Sequence, residues 1–283
     1  MALGILTNVA ATYAENNLNQ TQNSLQSVLQ QLSSGSRINS GADDAAGLSI
    51  SDGLQANEAA LTQSAQNAQN GVGLLQTADG ALSQVTNLLD RAVTLATEAS
   101  NGGLTTAQST AADTEFQSIM TEIGNIGSST NFNSTGVFTA TATNFVVSDG
   151  TTAGTTTISA TVGALSAANV GGVTTLAADT LTGATPAAGQ TAAQTALTDI
   201  TSAIAGISAQ RGAIGANINQ LSAAANVASS EEVNLSSAQS AIQSTNYGQA
   251  TSDLAKYQVL SQTGISALAQ ANSVQQEILK LLQ

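Results

Sequence analysis

The sequence predicts a mainly α-helical fold: long antiparallel coiled-coil helices forming a rod, with a small β-hairpin or β-rich insert in the middle of the chain. Three observations predict it. Between Leu61 and Ala96, positions spaced alternately four and three apart read Leu61, Ala65, Ala68, Val72, Leu75, Asp79, Leu82, Thr86, Leu89, Val93 and Ala96, nine of eleven apolar. The same count later in the chain gives Ile200, Ile204, Ile207, Arg211, Ile214, Ile218, Leu221, Ala225, Ala228, Glu232 and Leu235, again nine of eleven. Between these two seams, residues 139–185 hold fourteen Thr and only two charges, Asp149 and Asp179.

Composition narrows the function classes. A chain of 283 residues suits one large or two small domains. It has no Trp, three Tyr and four Phe, so Ala, Leu, Ile and Val must fill the core. All four Phe (Phe116, Phe132, Phe138, Phe145) lie within thirty residues, a compact knot where helices hand over to a sheet. Without Cys there is no disulfide, thiol nucleophile or thiolate metal site; without His the commonest general base and metal ligand are missing. The chain is therefore expected to be no enzyme and to need no cofactor or metal. No run reaches the ~20 apolar residues of a membrane span. The opening residues lack the basic flank and apolar core of a cleavable signal.

Charge is unevenly placed. The formal net charge is −13, yet residues 1–42 carry only Glu15 and Arg37, and residues 244–283 carry Asp253, Glu277, Lys256 and Lys280, each set summing to zero. The middle holds fifteen acids against Arg91 and Arg211, with no Lys or Arg from Ala92 to Gln210. That sign excludes nucleic-acid binding. Neutral ends and an acidic middle suit a molecule whose termini meet copies of themselves while its middle faces water.

In chain order, residues 1–33 read as a helix with Leu18, Leu25 and Leu32 at heptad spacing, Val28 and Leu29 beside them, and an uncharged Gln/Asn face. Such a segment is marginal alone. Residues 32–51, rich in Ser and Gly, form a link, with Asp43 and Asp44 suited to the N-terminus of the next helix. That helix runs to about Ser100, where Asn101-Gly102-Gly103 predicts a left-handed glycine stop. A shorter helix over roughly 105–127 presents Phe116, Ile119, Met120, Ile123 and Ile126 on one face. Residues 139–147 and 155–162 read as a β-hairpin closed tightly at Asp149-Gly150. Pro186 marks the exit, helix resumes at Ala192, and a final helix occupies roughly 250–282.

Other motifs have plain structural readings. Gly71-Val72-Gly73 lies inside a helix with no preceding strand, so it is no nucleotide fingerprint. The adjacent acids Asp43/Asp44 and Glu231/Glu232 diverge by ~100° on a helix and share no site. Arg91 and Arg211 are lone cations expected to pair with Asp90, Glu115 or a neighbour's carboxylate.

Several of these segments resemble bacterial flagellin. Arg37-Ile38-Asn39-Ser40 with Asp43-Asp44-Ala45-Ala46-Gly47-Leu48 is similar to that family's N-terminal signature, Thr130-Asn131-Phe132-Asn133 to the segment before its hairpin, and Gln210-Arg211-Gly212-Ala213-Ile214-Gly215-Ala216 to its C-terminal rod motif. Leu254, Lys256, Gln258, Leu260, Leu268 through Asn272, and the closing leucines follow its last helix. The resemblance covers about 1–138 and 190–283. It departs at Ser240–Tyr247 and at Val274-Gln275-Gln276, where the family has charged residues and a Pro. It implies an inner terminal coiled-coil domain from 1–43 with 244–283, a rod from 44–138 with 190–243, and a short variable insert, 139–189, at the outer surface. It implies a subunit that polymerises with itself into the extracellular flagellar filament for swimming motility. Export would be unfolded through the flagellar type III system, with an export chaperone and cap or junction proteins as partners and no membrane insertion. Self-assembly residues on this basis are Leu18, Leu25, Leu32, Leu254, Leu260, Leu268, Ile278 and Leu282. Arg91, Leu95 and Glu115 fall where some relatives carry an innate-receptor contact patch. The alternatives are a hook–filament junction protein and a surface adhesin that does not polymerise.

Overall fold

The computed structural model describes residues 7–150 and 156–281. The elements are α1 (Val9–Ser34), α2 (Ala45–Ala99), α3 (Thr106–Ser129), β1 (Asn131–Phe132), β2 (Thr135–Gly136), β3 (Thr143–Val146), β4 (Thr157–Ala160), a 3₁₀ turn (Leu176–Ala178), α4 (Pro186–Gln243) and α5 (Tyr247–Leu281). They form two compact units, one of residues 1–56 with 234–283 and one of residues 57–233. The fold is mainly helical with a small central hairpin, as the periodicity predicts.

In the 57–233 unit, α2 and α4 run antiparallel. Gln190 reaches the Ser100 carbonyl, Arg211 meets Asp79, and Leu221 lies against Gly71, so one helix is read forwards as the other is read backwards. Asp79 and Arg211 are each a polar interruption of the apolar seam on their own helix. They meet as a forked pair, Nε to Oδ1 at 2.8 Å and Nη2 to Oδ2 at 3.4 Å. Their side chains are 39% and 37% exposed, so water screens the attraction and the pair sets register more than it stabilises.

The buried stripe is wider than the seam read from sequence. Ala68, Leu75, Leu82, Leu89 and Ala96 are buried as expected, and Ala78, Val85, Ala92 and Ala99 are buried beside them. Val72, Asp79, Thr86 and Val93 are only half-buried. The reason is a second neighbour: α3 packs Phe116, Ile119, Met120 and Ile123 into the same core. A helix flanked on two sides buries a broader face than a two-stranded seam. Thr105 starts α3 with a capping box, its hydroxyl accepting from the Gln108 N–H while the Gln108 side chain accepts from the Thr105 N–H.

Two helix ends differ from expectation. No left-handed glycine closes α2; instead the Gln190 side chain donates to the Ser100 carbonyl and fills the space beside Gly102. Helix α4 starts at Pro186, six residues before Ala192. Proline tolerates the first helical position, and the Thr185 hydroxyl caps the Ala188 N–H at 3.2 Å.

The Phe knot forms as expected, with Phe116 and Phe138 buried and Phe132 and Phe145 packed against them. β1 and β2 pair around Asn133 and Ser134, both at positive φ, the geometry of a two-residue I′ turn. β3 and β4 pair antiparallel with Phe145 opposite Ile158. Their connection is longer than the tight turn expected at Asp149-Gly150. Pairing ends at Val147–Thr156, and Ser148 is engaged on both sides, its carbonyl by the Ser64 hydroxyl and its Oγ by the Thr156 N–H. A lone hairpin is marginal in water, so this one leans on α2, where Gly71 leaves room for the Phe145 ring.

The rest of the insert lies flat on the helices because two glycines let backbones touch. A side chain at Gly127 of α3 would collide with the Leu165 carbonyl, and one at Gly206 of α4 with the Gly171 carbonyl. Gly206→Ala is expected to lower stability by about 1–3 kcal/mol, as overpacking does, read as the urea midpoint of the monomer. Exchanging the charges, Asp79→Arg with Arg211→Asp, is expected to recover most of what Asp79→Arg alone loses, with a coupling of about 1 kcal/mol or less.

Candidate assembly site

The terminal unit is assembled from four segments. Helices α1 and α5 pair antiparallel: the Asn8 amide donates to the Ala271 carbonyl at 2.9 Å, and Leu18 packs on Gly264. Asn8 also caps α1 by accepting from the Ala11 N–H. Gly35, at φ 73°, ends α1 in a left-handed turn and returns its N–H to the Gln31 carbonyl.

Beyond Gly35, the Arg37–Leu48 segment builds a junction with the end of α4. The Arg37 N–H donates to the Gln243 carbonyl at 2.7 Å, the Thr245 N–H donates to the Gly35 carbonyl at 3.0 Å, and the Arg37 guanidinium donates to the Ile242 carbonyl at 2.8 Å. The Ser36 hydroxyl donates to the Ile38 and Gln243 carbonyls. Ile38 is buried beneath this ladder. The two adjacent aspartates do different work. Asp44 caps α2 through the Gly47 N–H at 2.8 Å. Asp43 accepts from the Asn39 N–H, the Ser40 N–H and the Ser40 hydroxyl. The Asn39 amide first, then Ser40, holds the Asp43 carboxyl below its ordinary value. A side chain at Gly47 would strike Asp44 and Ile38, which is why glycine stands inside the first turn.

Burial in the α1–α5 pair is thin. Leu18, Leu25, Leu32, Leu254 and Leu268 are half-buried along the shared seam, and Val28 and Ala250 are the buried apolar residues of these helices among the described residues. Leu260 instead faces outward, 43% exposed. The side chain of Ile278 and all of Leu282 lie outside the described residues. Off the seam, Val9, Tyr13, Leu29, Val259, Ile265 and Val274 are exposed, and no charge-rich face surrounds them. The heptad count passed over these residues because it reports only the stripe facing one partner. Their signal was present all the same, as apolar residues off the seam in helices nearly free of charge.

The expected receptor trio lies in the other unit. Arg91 grips Glu115 with a forked pair, Nε to Oε1 at 2.7 Å and Nη2 to Oε2 at 3.0 Å. That hydrogen bond holds the Glu115 carboxyl below its ordinary value and raises Arg91. Leu95 is 3% exposed in the core, so Arg91 and Glu115 alone present atoms to solvent. Among the described residues, no group of three or more His, Cys, Asp or Glu side chains could hold a metal ion. No helix there is long and apolar enough to cross a membrane.

Two family models match this chain. The bacterial flagellin N-terminal helical region matches residues 5–143, and the bacterial flagellin C-terminal helical region matches residues 197–282. A flagellin of Halalkalibacterium halodurans is 33% identical over 276 residues, covering 97% of this chain and 98% of its own. A flagellin of Listeria innocua is 29% identical over 288 residues and covers 98% of both. Against the longer Flagellin 1 of Proteus mirabilis, 38% identity spans 53% of this chain and 41% of that one. A crystal structure of Bacillus cereus flagellin is 27% identical, with a TM-score of 0.46 over 57% of this chain and 88% of that one.

Because the outward residues are not needed to pair α1 with α5, Ile265→Asp is expected to leave the helicity of the monomer unchanged. Leu18→Ala removes a half-buried seam contact and is expected to lower it. Far-ultraviolet circular dichroism of the two variants checks the division between seam and outer face.

Proposed function

The chain belongs to the bacterial flagellin family and is a structural subunit for filament assembly; from that premise we propose that its 1–43 and 244–283 segments are the inner polymerising domain. Residues 44–138 and 190–243 are then the rod, and 139–189 the insert at the outer surface. The observation that carries this reading is the incomplete burial of α1 and α5. Exposed apolar residues run along two helices whose surrounding residues, 1–42 and 244–283, carry no net charge. Isolated helices stabilised along one edge are marginal, and sister subunits can supply the missing neighbours. Leu18, Leu25, Leu32, Leu254 and Leu268 hold the two helices together as a unit, and Leu260 with Val259, Ile265 and Val274 meets the next subunit.

Export through the flagellar type III system, hand-over from an export chaperone and addition beneath a cap follow from the same premise, with the filament outside the cell. Indefinite polymerisation distinguishes this reading from a junction protein, which caps or stays put, and from an adhesin, which forms no polymer.

Deleting residues 1–30 or 255–283 is expected to abolish filaments in electron micrographs of the purified protein while the central unit keeps its cooperative melt; filaments from either truncation would count against the assignment. Ile265→Asp is expected to block growth in the same assay. Moderate salt is expected to speed polymerisation by screening repulsion between the acidic central regions, and slower growth would contradict the charge argument.

A further inference from the structure

One pair of carboxylates in the central unit is left without compensation. The strap from Leu176 to Leu181 joins the insert to α4, and both of its leucines are fully buried. Between them sits Asp179. Its backbone is held on both sides: the Gln117 amide of α3 donates to the Asp179 carbonyl at 2.8 Å, and the Asp179 N–H donates to Leu176 at 3.3 Å. One step on, the Leu181 N–H donates to Asp113 of α3 at 2.7 Å. This anchoring leaves the Asp179 carboxyl within the electrostatic reach of Asp199 of α4, and Asp199 already accepts from the Thr175 hydroxyl. The Asp179 Oδ2 atom is buried and has no hydrogen-bond partner.

Ionised carboxylates only accept hydrogen bonds, so two of them facing each other repel. The groups around Asp179 are Gln117 and Asp113 from α3, Asp199 from α4 and Thr175 just before the strap; none is cationic. The sequence has no Lys or Arg from Ala92 to Gln210. The flanking cations are committed elsewhere, Arg91 to Glu115 and Arg211 to Asp79.

We infer that Asp179 and Asp199 form an acid-sensing latch: one proton shared between them clamps the strap onto α3 and α4, and its loss loosens the strap. Protonated Asp179 donates from Oδ2 to the Asp199 carboxylate, which satisfies the orphaned atom and removes the repulsion in one step. Burial first, then the charge of Asp199, pushes the Asp179 carboxyl up to about 6. A group raised on folding contributes stability that is present in full below its unfolded value, near 4, and is lost as pH rises through about 6. The latch is therefore shut in mild acid and open at neutral pH. The inference concerns the insert alone and does not depend on how the terminal helices assemble.

Hydrogen exchange of the full-length monomer tests it, reading the peptide that spans 176–181 after correction for intrinsic rates. The reference is Asp179→Asn, whose amide donates to Asp199 at every pH. The wild-type to variant exchange ratio is expected to rise about tenfold from pH 5 to pH 7.5. Asp199→Asn, which removes the neighbouring charge but leaves Asp179 buried, is expected to shrink the rise without abolishing it. A ratio constant within about twofold across that range would overturn the latch. So would a ratio that ignores pH but falls on adding millimolar calcium chloride, which would make the pair a cation site.

Discussion

How many neighbours a helix has decides how much of its surface it can bury, and this constraint organises the whole chain. Helix α2 in the central unit is flanked by α4 and α3, and Leu75, Ala78, Leu82, Val85 and Leu89 are all fully buried there. Helices α1 and α5 have one another, and their leucines stop at half-burial. Both halves use the same apolar alphabet and the same heptad spacing. Apolar area removed from water is the main favourable term in folding, so the central unit has the makings of a stable body on its own. The terminal pair is left with apolar surface to offer, and that is the surface we propose meets sister subunits.

Electrostatics follows the same division. Both central cations are engaged within the unit in forked pairs, Arg91 with Glu115 and Arg211 with Asp79. Such pairs contribute little while exposed, but a forked guanidinium is particular about where its carboxylate stands. Asp79 with Arg211 fixes the register of α2 on α4, and Arg91 with Glu115 fixes α3 on α2. At the junction of the terminal unit, hydrogen bonds to the backbone take the place of ion pairs. Backbone ladders between Arg37 and Gln243 and between Gly35 and Thr245 join segments some two hundred residues apart in sequence. The flagellin-like Arg37–Leu48 motif is thus a structural knot, with Arg37, Asp43, Asp44 and Gly47 each tied to a hydrogen bond or a close contact.

The insert shows how a Thr-rich segment can be held in place. Leu165, Val170, Leu176 and Leu181 are buried at intervals, and the backbone between them approaches the helices where Gly127 and Gly206 leave space. Close backbone approach excludes water from the polar groups it covers, and Asp179 is caught in that exclusion. The latch is a by-product of clamping a strap onto helices in a region devoid of cations.

Much of this was legible in the sequence. Heptad spacing located the helices, because a period near 3.5 is a local property of the chain. The Asp44 cap, the hairpin strands and the clustering of Phe are also local, each set by a few neighbouring residues. Charge counting separated the neutral ends from the acidic middle. What sequence could not supply was any quantity that depends on a second neighbour. The stripe through Ala78, Val85, Ala92 and Ala99 is deep because α3 happens to lie there, and alanine carries no signal of that. Gln190 closing α2 in place of a glycine turn, Asp79 as the partner of Arg211, and Asp199 facing Asp179 all join residues twenty to more than a hundred positions apart. Such pairings are chosen by packing, through contacts that no local pattern encodes.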